Sequence, residues 1–207
     1  GRVKAQIVHT GLPIRDELLE GEKEKGLALC GFNGEKPVLM VIGGSVGSVN
    51  VNNAVWEALP ELLESFDVVH ICGKGKTDPE KACEGYRQFE YINEELKDVM
   101  AAAQILISRA GANVIWEIAA LAKPALLIPL GTAGSRGDQI LNAQSFKDHG
   151  YSEVLLEDDL TGETLSAAIT ELWENRKKYI DAMKGCGADK AAARVAEEII
   201  KAAGVKE

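Results

Sequence analysis

The sequence predicts an α/β fold, a mostly parallel sheet with helices on both faces. Three observations lead there. Short continuous apolar runs at Val38–Ile42, Ile105–Ile107 and Ala125–Ile128 read as strands covered from both sides. Between such runs, apolar residues recur every three or four positions, the period of a helix with one buried face. Strands also end in small-residue turns that open helices, as at Gly43-Gly44-Ser45-Val46-Gly47-Ser48 and Ser108-Arg109-Ala110-Gly111-Ala112. Composition agrees, because 46% hydrophobic residues with only 5% aromatic and 21 glycines suit a core of Ala, Val, Leu and Ile.

Taken in order, Arg2–His9 alternates loosely and reads as a strand running into the turn Thr10-Gly11-Leu12-Pro13. Asp16–Phe32 is charged, carries Gly21, Gly26 and Gly31, and fits a short helix and a loop. Residues 1–32 therefore read as an interdomain segment of strand, loop and short helix, a connector more than a core, and 33–207 as the main domain. Val38–Ile42 is the first buried strand. Val51, Val55, Leu59, Leu62 and Phe66 mark the helix after it, with Pro60 expected to kink or restart it. Asp67–Cys72 is the next strand and ends at Gly73-Lys74-Gly75. Phe89–Ile92 reads as a short strand, Leu96–Ala103 as a helix and Ile105–Ile107 as a strand. A helix over Asn113–Leu121 stops at Lys123-Pro124, and Ala125–Ile128 is again a strand. Asp138 is placed to cap a helix that reaches His149 and ends at Gly150. Glu153–Leu156 completes the strands. Thr161 caps the following helix, with Leu160 and Leu165 at the spacing of a hydrophobic staple. The last helix, Asp189–Ala203, carries Ala192, Val195, Ala196, Ile199 and Ile200 on one side. The alternation implies right-handed crossovers in one Rossmann-like domain.

A net charge of −9 argues against a nucleic-acid partner, since affinity for a phosphate backbone comes from clustered Lys and Arg. It equally weakens adhesion to an anionic membrane. Cys30, Cys72, Cys83 and Cys186 form no C-x-x-C pair, and His9, His70 and His149 show no ligand spacing with them. Core or incidental thiols in a reducing cytosol are expected, with no metal site. No apolar run approaches the roughly 20 residues of a spanning helix, and the amino end has no signal-peptide pattern. Residue 1 is Gly rather than Met, so a processed chain or a piece of a longer one is expected.

Ligands on parallel sheets collect at the carboxyl ends of the strands, where helix N-termini offer N–H groups. The glycines of the Gly43–Ser48 turn, Gly44 among them, permit close backbone approach to a phosphate, and Ser45 can add a hydroxyl donor. An ordinary tight turn with a serine cap is the structural alternative. Taken alone, Glu117 reads as a helix-surface glutamate near a favourable positive dipole end. Arg15, taken alone, reads as a solvated arginine pairing with Asp16 or Glu17. Lys74 and Lys76 lack the G-x-x-x-x-G-K-[ST] frame and read as solvated. Gly43, Gly44 and Gly47 do not have the G-x-G-x-x-G spacing of a nicotinamide site. Glu157-Asp158-Asp159 reads as complementing a helix dipole rather than binding metal.

Five motifs, in order, resemble the carboxyl half of the MurG family of N-acetylglucosaminyltransferases: Gly11-Leu12-Pro13-Ile14-Arg15, Gly43-Gly44-Ser45-x-Gly47, Ser108-Arg109-Ala110-Gly111-Ala112, Glu117, and Arg136-Gly137-Asp138-Gln139-x-x-Asn142-Ala143. Ser135-Arg136-Gly137-Asp138-Gln139 and Lys147-Asp148-His149-Gly150-Tyr151 resemble its Firmicutes-type branch. The resemblance covers nearly the whole chain. It implies one half of a GT-B glycosyltransferase, the half that binds UDP-N-acetylglucosamine. The amino-terminal half, absent here, would hold lipid I and the general base, leaving no catalytic residue, metal or cofactor in this one.

Residue by residue, the resemblance implies that Arg15 approaches the donor, that Gly44 and Ser45 meet its diphosphate, and that the Ile92 main chain reads the uracil edge. It sets Ala112 and Asn113 in the loop and helix start beneath the nucleotide, Glu117 on both ribose hydroxyls and Gln139 on the sugar hydroxyls. Leu12 departs from the family's usual Asn or Thr. Arg109 and Arg136 are expected to order the site or an interdomain contact. The implied reaction is inverting transfer to lipid I, giving lipid II for peptidoglycan. The implied location is the cytoplasm, peripheral to the plasma membrane, with this piece soluble. The alternatives are a stand-alone nucleotide-sugar subunit of a two-chain transferase and a UDP-sugar epimerase domain.

Overall fold

The computed structural model describes residues 7–8, 10–44, 46–131 and 137–203. The strand expected at Arg2–His9 falls almost wholly outside them, and within it Ile7 and Val8 form no regular structure. Ser45 and Arg136 also lie outside the described residues.

A 3-10 turn at Asp16–Glu20 leads into α1 (Lys23–Cys30), β1 (Val38–Ile42), α2 (Val49–Ser65), β2 (Asp67–Ile71) and β3 (Tyr86–Phe89). Then come α3 (Leu96–Ala102), β4 (Ala103–Ser108), α4 (Ala112–Ala120), β5 (Ala125–Leu127), α5 (Asp138–Asp148) and β6 (Ser152–Val154). The chain ends with α6 (Gly162–Glu174), α7 (Arg176–Met183) and α8 (Ala191–Ala203). The six strands form one sheet in the order β3-β2-β1-β4-β5-β6, every neighbouring pair parallel. The α/β architecture expected from the sequence is therefore present. Leu39, Met40 and Val41 of β1 and Ile105, Leu106 and Ile107 of β4 are each 0% exposed. Successive strand residues point to opposite faces, so both faces of the central strands are covered. α1 packs on α3, and α2 on α6.

Several local expectations shift. The third strand is Tyr86–Phe89 rather than Phe89–Ile92, because β2 pairs Val68 with Tyr86 and Ile71 with Phe89. Arg87 and Gln88 disguise it, since an edge strand needs no continuous apolar run. Pro60 leaves α2 unbroken from Val49 to Ser65. It removes one N–H donor from an exposed position, while Leu59 and Leu62 stay buried on the opposite side. Asp138 does not cap α5: Gly137, left-handed at φ +82°, precedes the helix, and Asp138 is its first residue. Gly150, at φ +73°, does end that helix, and Thr161 with Thr164 forms a capping box on α6. The final helix begins at Ala191 after a 3-10 turn at Ala188–Lys190, and α7 is a separate helix that sequence periodicity did not single out.

The segment expected as a connector also supplies core. Leu18 and Cys30 are 2% and 5% exposed. Side chains at Gly21 and Gly26 would collide with the carbonyls of Lys97 and Asp98, so these glycines let the segment lie directly on α3. The Glu22 N–H donates to Asp98 Oδ1 at 2.7 Å and closes the seam.

Candidate functional site

Strand order reverses between β1 and β4, the position where open α/β sheets form a crevice at the carboxyl ends of their strands. A cleft of about 1290 Å³ opens there, with Arg15, Gly44, Ile92, Arg109, Glu117 and Gln139 among its lining residues.

After β1 the chain turns through Gly43 and Gly44, the latter at φ +88°, and reaches Ser48, the N-cap of α2. Gly47 serves a purpose the sequence did not reveal. A Cβ there would strike the Cys72 carbonyl, so the turn after β1 rests directly on the turn after β2. Lys76 clamps the pair by donating to the carbonyls of Val46 (2.9 Å) and Gly47 (3.1 Å), and is not the solvated lysine expected. Ser48 Oγ accepts from the Val51 N–H at 3.3 Å, and the Ser48 carbonyl from the Asn52 N–H. The N–H groups of Val49 and Asn50 take no partner among the described residues, and both residues line the cleft. A helix N-terminus of this kind attracts anions.

Beneath it runs a buried polar chain. Trp56 Nε1–H donates to Tyr86 Oη at 2.8 Å, and Tyr86 Oη lies 2.9 Å from His70 Nδ1. His70 Nε2 lies 3.0 Å from Asn52 Oδ1, and Asn52 Nδ2 donates to the Cys72 carbonyl at 3.0 Å. An indole can only donate, so the consistent direction has Tyr86 donating to Nδ1 and the Nε2–H donating to Asn52. Burial pushes the His70 pKa down to about 3, which keeps the ring neutral. The network thereby fixes α2 to the end of β2.

After β4, Arg109 is 8% exposed and both its Nη groups are engaged. Its Nη2 donates to Ser48 Oγ and Glu157 Oε1, both at 2.6 Å, and its Nη1 to the carbonyls of Ile128 (3.1 Å) and Pro129 (3.3 Å). Glu157 also accepts from Asn50 Nδ2 at 3.1 Å and the Gly131 N–H at 3.4 Å. Burial raises the Glu157 pKa, but Arg109, Gly131 and Asn50 outweigh it and hold the carboxyl below its ordinary value. One arginine thus ties together the chain ends leaving β1, β4, β5 and β6. It orders the cleft, one of the two roles expected for it. Glu157, read as a dipole complement, is its partner 48 residues away, and no local pattern could have signalled that.

The Glu117 side chain on α4 is 9% exposed and is gripped by Arg15, Nε to Oε1 at 2.9 Å and Nη2 to Oε2 at 3.2 Å. The Glu117 hydrogen bond is the largest influence raising the Arg15 pKa. Glu17, one of the two solvent partners expected for Arg15, stands at 4.0 Å. Gln139 uses its side-chain carbonyl to accept from the Leu130 N–H at 3.0 Å, which leaves its amide nitrogen uncommitted among the described residues. Asn142 Nδ2 donates to the Ala110 carbonyl at 3.0 Å and fixes the turn ahead of α4. The Ile92 side chain is in the core, and its main chain has no hydrogen-bond partner among the described residues. Ala112 and Asn113 occupy the exposed first turn of α4 and do not line the cleft. Among the described residues, no three His, Cys, Asp or Glu side chains are grouped to hold a metal ion.

The family profile described as "Glycosyltransferase family 28 C-terminal domain" matches residues 38–199. The chain belongs to that family. It is 56% identical over 178 residues to a UDP-N-acetylglucosamine–N-acetylmuramyl-(pentapeptide) pyrophosphoryl-undecaprenol N-acetylglucosamine transferase of Lachnospira eligens, covering 86% of this chain and 50% of the relative. A transferase of the same name from Geobacillus kaustophilus is 54% identical over 182 residues, covering 87% and 51%. The chain therefore spans about half the length of the curated relatives it matches. Among solved structures, MurG of Acinetobacter baumannii superposes with a TM-score of 0.67 at 21% identity, over 89% of this chain and 55% of that one. That likeness concerns the fold, one Rossmann-like half of the GT-B arrangement. The resemblance drawn from the five motifs agrees with the family match.

Proposed function

We propose that the chain is the donor-binding half of an N-acetylglucosaminyltransferase that transfers the sugar of UDP-N-acetylglucosamine to lipid I, forming lipid II for peptidoglycan. The observation that carries this reading is the pairing of two features across the β1/β4 crevice. One is the α2 N-terminus, whose Val49 and Asn50 N–H groups take no partner among the described residues, suited to a diphosphate. The other is the buried Glu117 carboxylate, suited to a ribose diol. Ile92 offers main-chain groups to a uracil edge and Gln139 an amide to sugar hydroxyls. Ser45 stands in the same turn in the sequence.

As the lipid hydroxyl attacks the anomeric carbon and UDP departs, negative charge grows on the diphosphate. Preorganised N–H donors at a helix N-terminus stabilise that charge without a metal. The base that accepts the hydroxyl proton is assigned to the half of the enzyme outside this chain, and so is the lipid site. No described helix is long and apolar enough to cross a membrane, and we place the whole enzyme at the cytoplasmic membrane surface as a peripheral protein.

Calorimetric titration with UDP-N-acetylglucosamine, UDP-glucose and NAD tests the reading. The expected result is weak binding of the first, weaker binding of the second, none of the third and no turnover of lipid I by this chain alone. Binding of NAD in preference to the UDP-sugars would overturn it.

A further inference from the structure

Glu117 and Arg15 are partners through a two-bond fork in which each carboxylate oxygen receives one N–H. A ribose diol needs those same two oxygens. A carboxylate oxygen can accept more than one hydrogen bond, but a two-bond grip by a diol uses the same paired edge that the guanidinium fork occupies, so ribose and Arg15 compete for it.

Arg15 is suited to exchange. Its side chain is 48% exposed, it stands on extended backbone at φ −74°, ψ 114°, and its other anionic neighbour is Glu17 at 4.0 Å. Arg109, the other arginine lining the cleft among the described residues, is committed to Glu157, Ser48 and two carbonyls. A bare nucleoside arriving at Glu117 would have to strip Arg15 of its sheltered partner and give it nothing. A nucleoside diphosphate brings charge into the same cleft and offers the guanidinium a new anion.

The geometry points to Arg15 as a selectivity latch: it closes Glu117 to nucleosides and releases it when a diphosphate takes the guanidinium. This rests on the donor-site reading above and adds that discrimination between nucleoside and nucleoside diphosphate resides partly in Arg15, beyond the glycine turn itself. A ligand binds a protein held in a competing state more weakly by the fraction of molecules that are competent, so removing the latch must strengthen the ligand that cannot open it.

NMR titrations of the wild-type chain, Arg15→Met and Arg15→Lys with uridine and with UDP test this. Arg15→Met is expected to bind uridine about threefold more tightly than wild type and UDP more weakly, the opposite signs being the signature. Arg15→Lys keeps the cation but cannot form the fork, so it should gain uridine affinity while retaining part of its UDP affinity. Should one variant fail to fold, as judged by its amide spectrum, the other carries the comparison. If wild type binds UDP and uridine affinity is unchanged or reduced in the folded variants, Arg15 only positions Glu117 and the latch is wrong. If wild type binds neither UDP nor UDP-N-acetylglucosamine, the donor-site reading fails and the latch falls with it.

Discussion

Two arginine–glutamate pairs line one cleft and serve opposite ends. In Arg109–Glu157 both side chains are sheltered, 9% and 15% exposed, and further Nη N–H groups are used on Ser48 and on carbonyls after β5. In Arg15–Glu117 the carboxylate is sheltered at 9% but the arginine is 48% exposed, with Glu17 at 4.0 Å as its second anionic partner among the described residues. A buried pair with satisfied neighbours is a frame, because removing either member strands polar groups away from water. A pair with one member in solvent can trade partners at small cost. Geometry alone does not separate them, since both are close and well aligned. The surroundings of the arginine do.

The sharpest way to break this comparison is Arg109→Met. It takes the charged partner from sheltered Glu157 and a donor from Ser48 and two carbonyls, and is expected to destabilise the fold by about 3 kcal/mol, measured by urea denaturation. A loss below about 1 kcal/mol, the range of a surface pair, would mean that the frame is no frame. Next, judged per pH unit, is the titration of the buried network that holds α2. His70 has its folded pKa depressed from 6.5 to about 3, so the unfolded state binds the extra proton across that window. Stability conferred by neutral His70 is thus complete above pH 6.5 and is lost as pH falls toward 3. Wild type should lose up to about 1.4 kcal/mol per pH unit from this group below its unfolded pKa. His70→Gln, which cannot titrate, should show a flatter acid limb, and equal slopes for the two proteins between those limits would refute the assignment. Glu157, whose folded pKa lies below the ordinary 4.5, adds its own loss only at lower pH. The smallest expected effect is Arg15→Met on stability, under about 1 kcal/mol because the guanidinium is half in solvent. A change as large as that of Arg109→Met would abolish the distinction between the two pairs.

Much of the architecture was legible from the chain. Val38–Ile42, Ile105–Ile107 and Ala125–Ile128 were readable as strands because a strand covered on both faces must be continuously apolar, and each lies on an observed strand. Phe89–Ile92 misled because the true edge strand, Tyr86–Phe89, is set by pairing with β2 rather than by its own apolarity. Asp138 had the chemistry of a cap, yet the left-handed Gly137 took that position. At the site, Gly44, Ile92, Glu117, Gln139 and Arg15 converge on the cleft, while Ala112 and Asn113 do not line it. Glu157 and Lys76 were missed as parts of the site because their partners lie far off in sequence.

By itself, the order of residues determined the alternation of strand and helix, the glycine turn after the first buried strand and the family to which the chain belongs. Those depend on periodicity and on short contiguous motifs. Only the tertiary structure decided which glutamate each arginine meets, 102 residues apart for Arg15 and 48 for Arg109. It also decided that Gly47 accommodates a neighbouring turn and that a histidine lies neutral beneath the helix N-terminus. Such pairings follow from the order in which parallel strands assemble, and burial then sets whether a charge pair endures or exchanges.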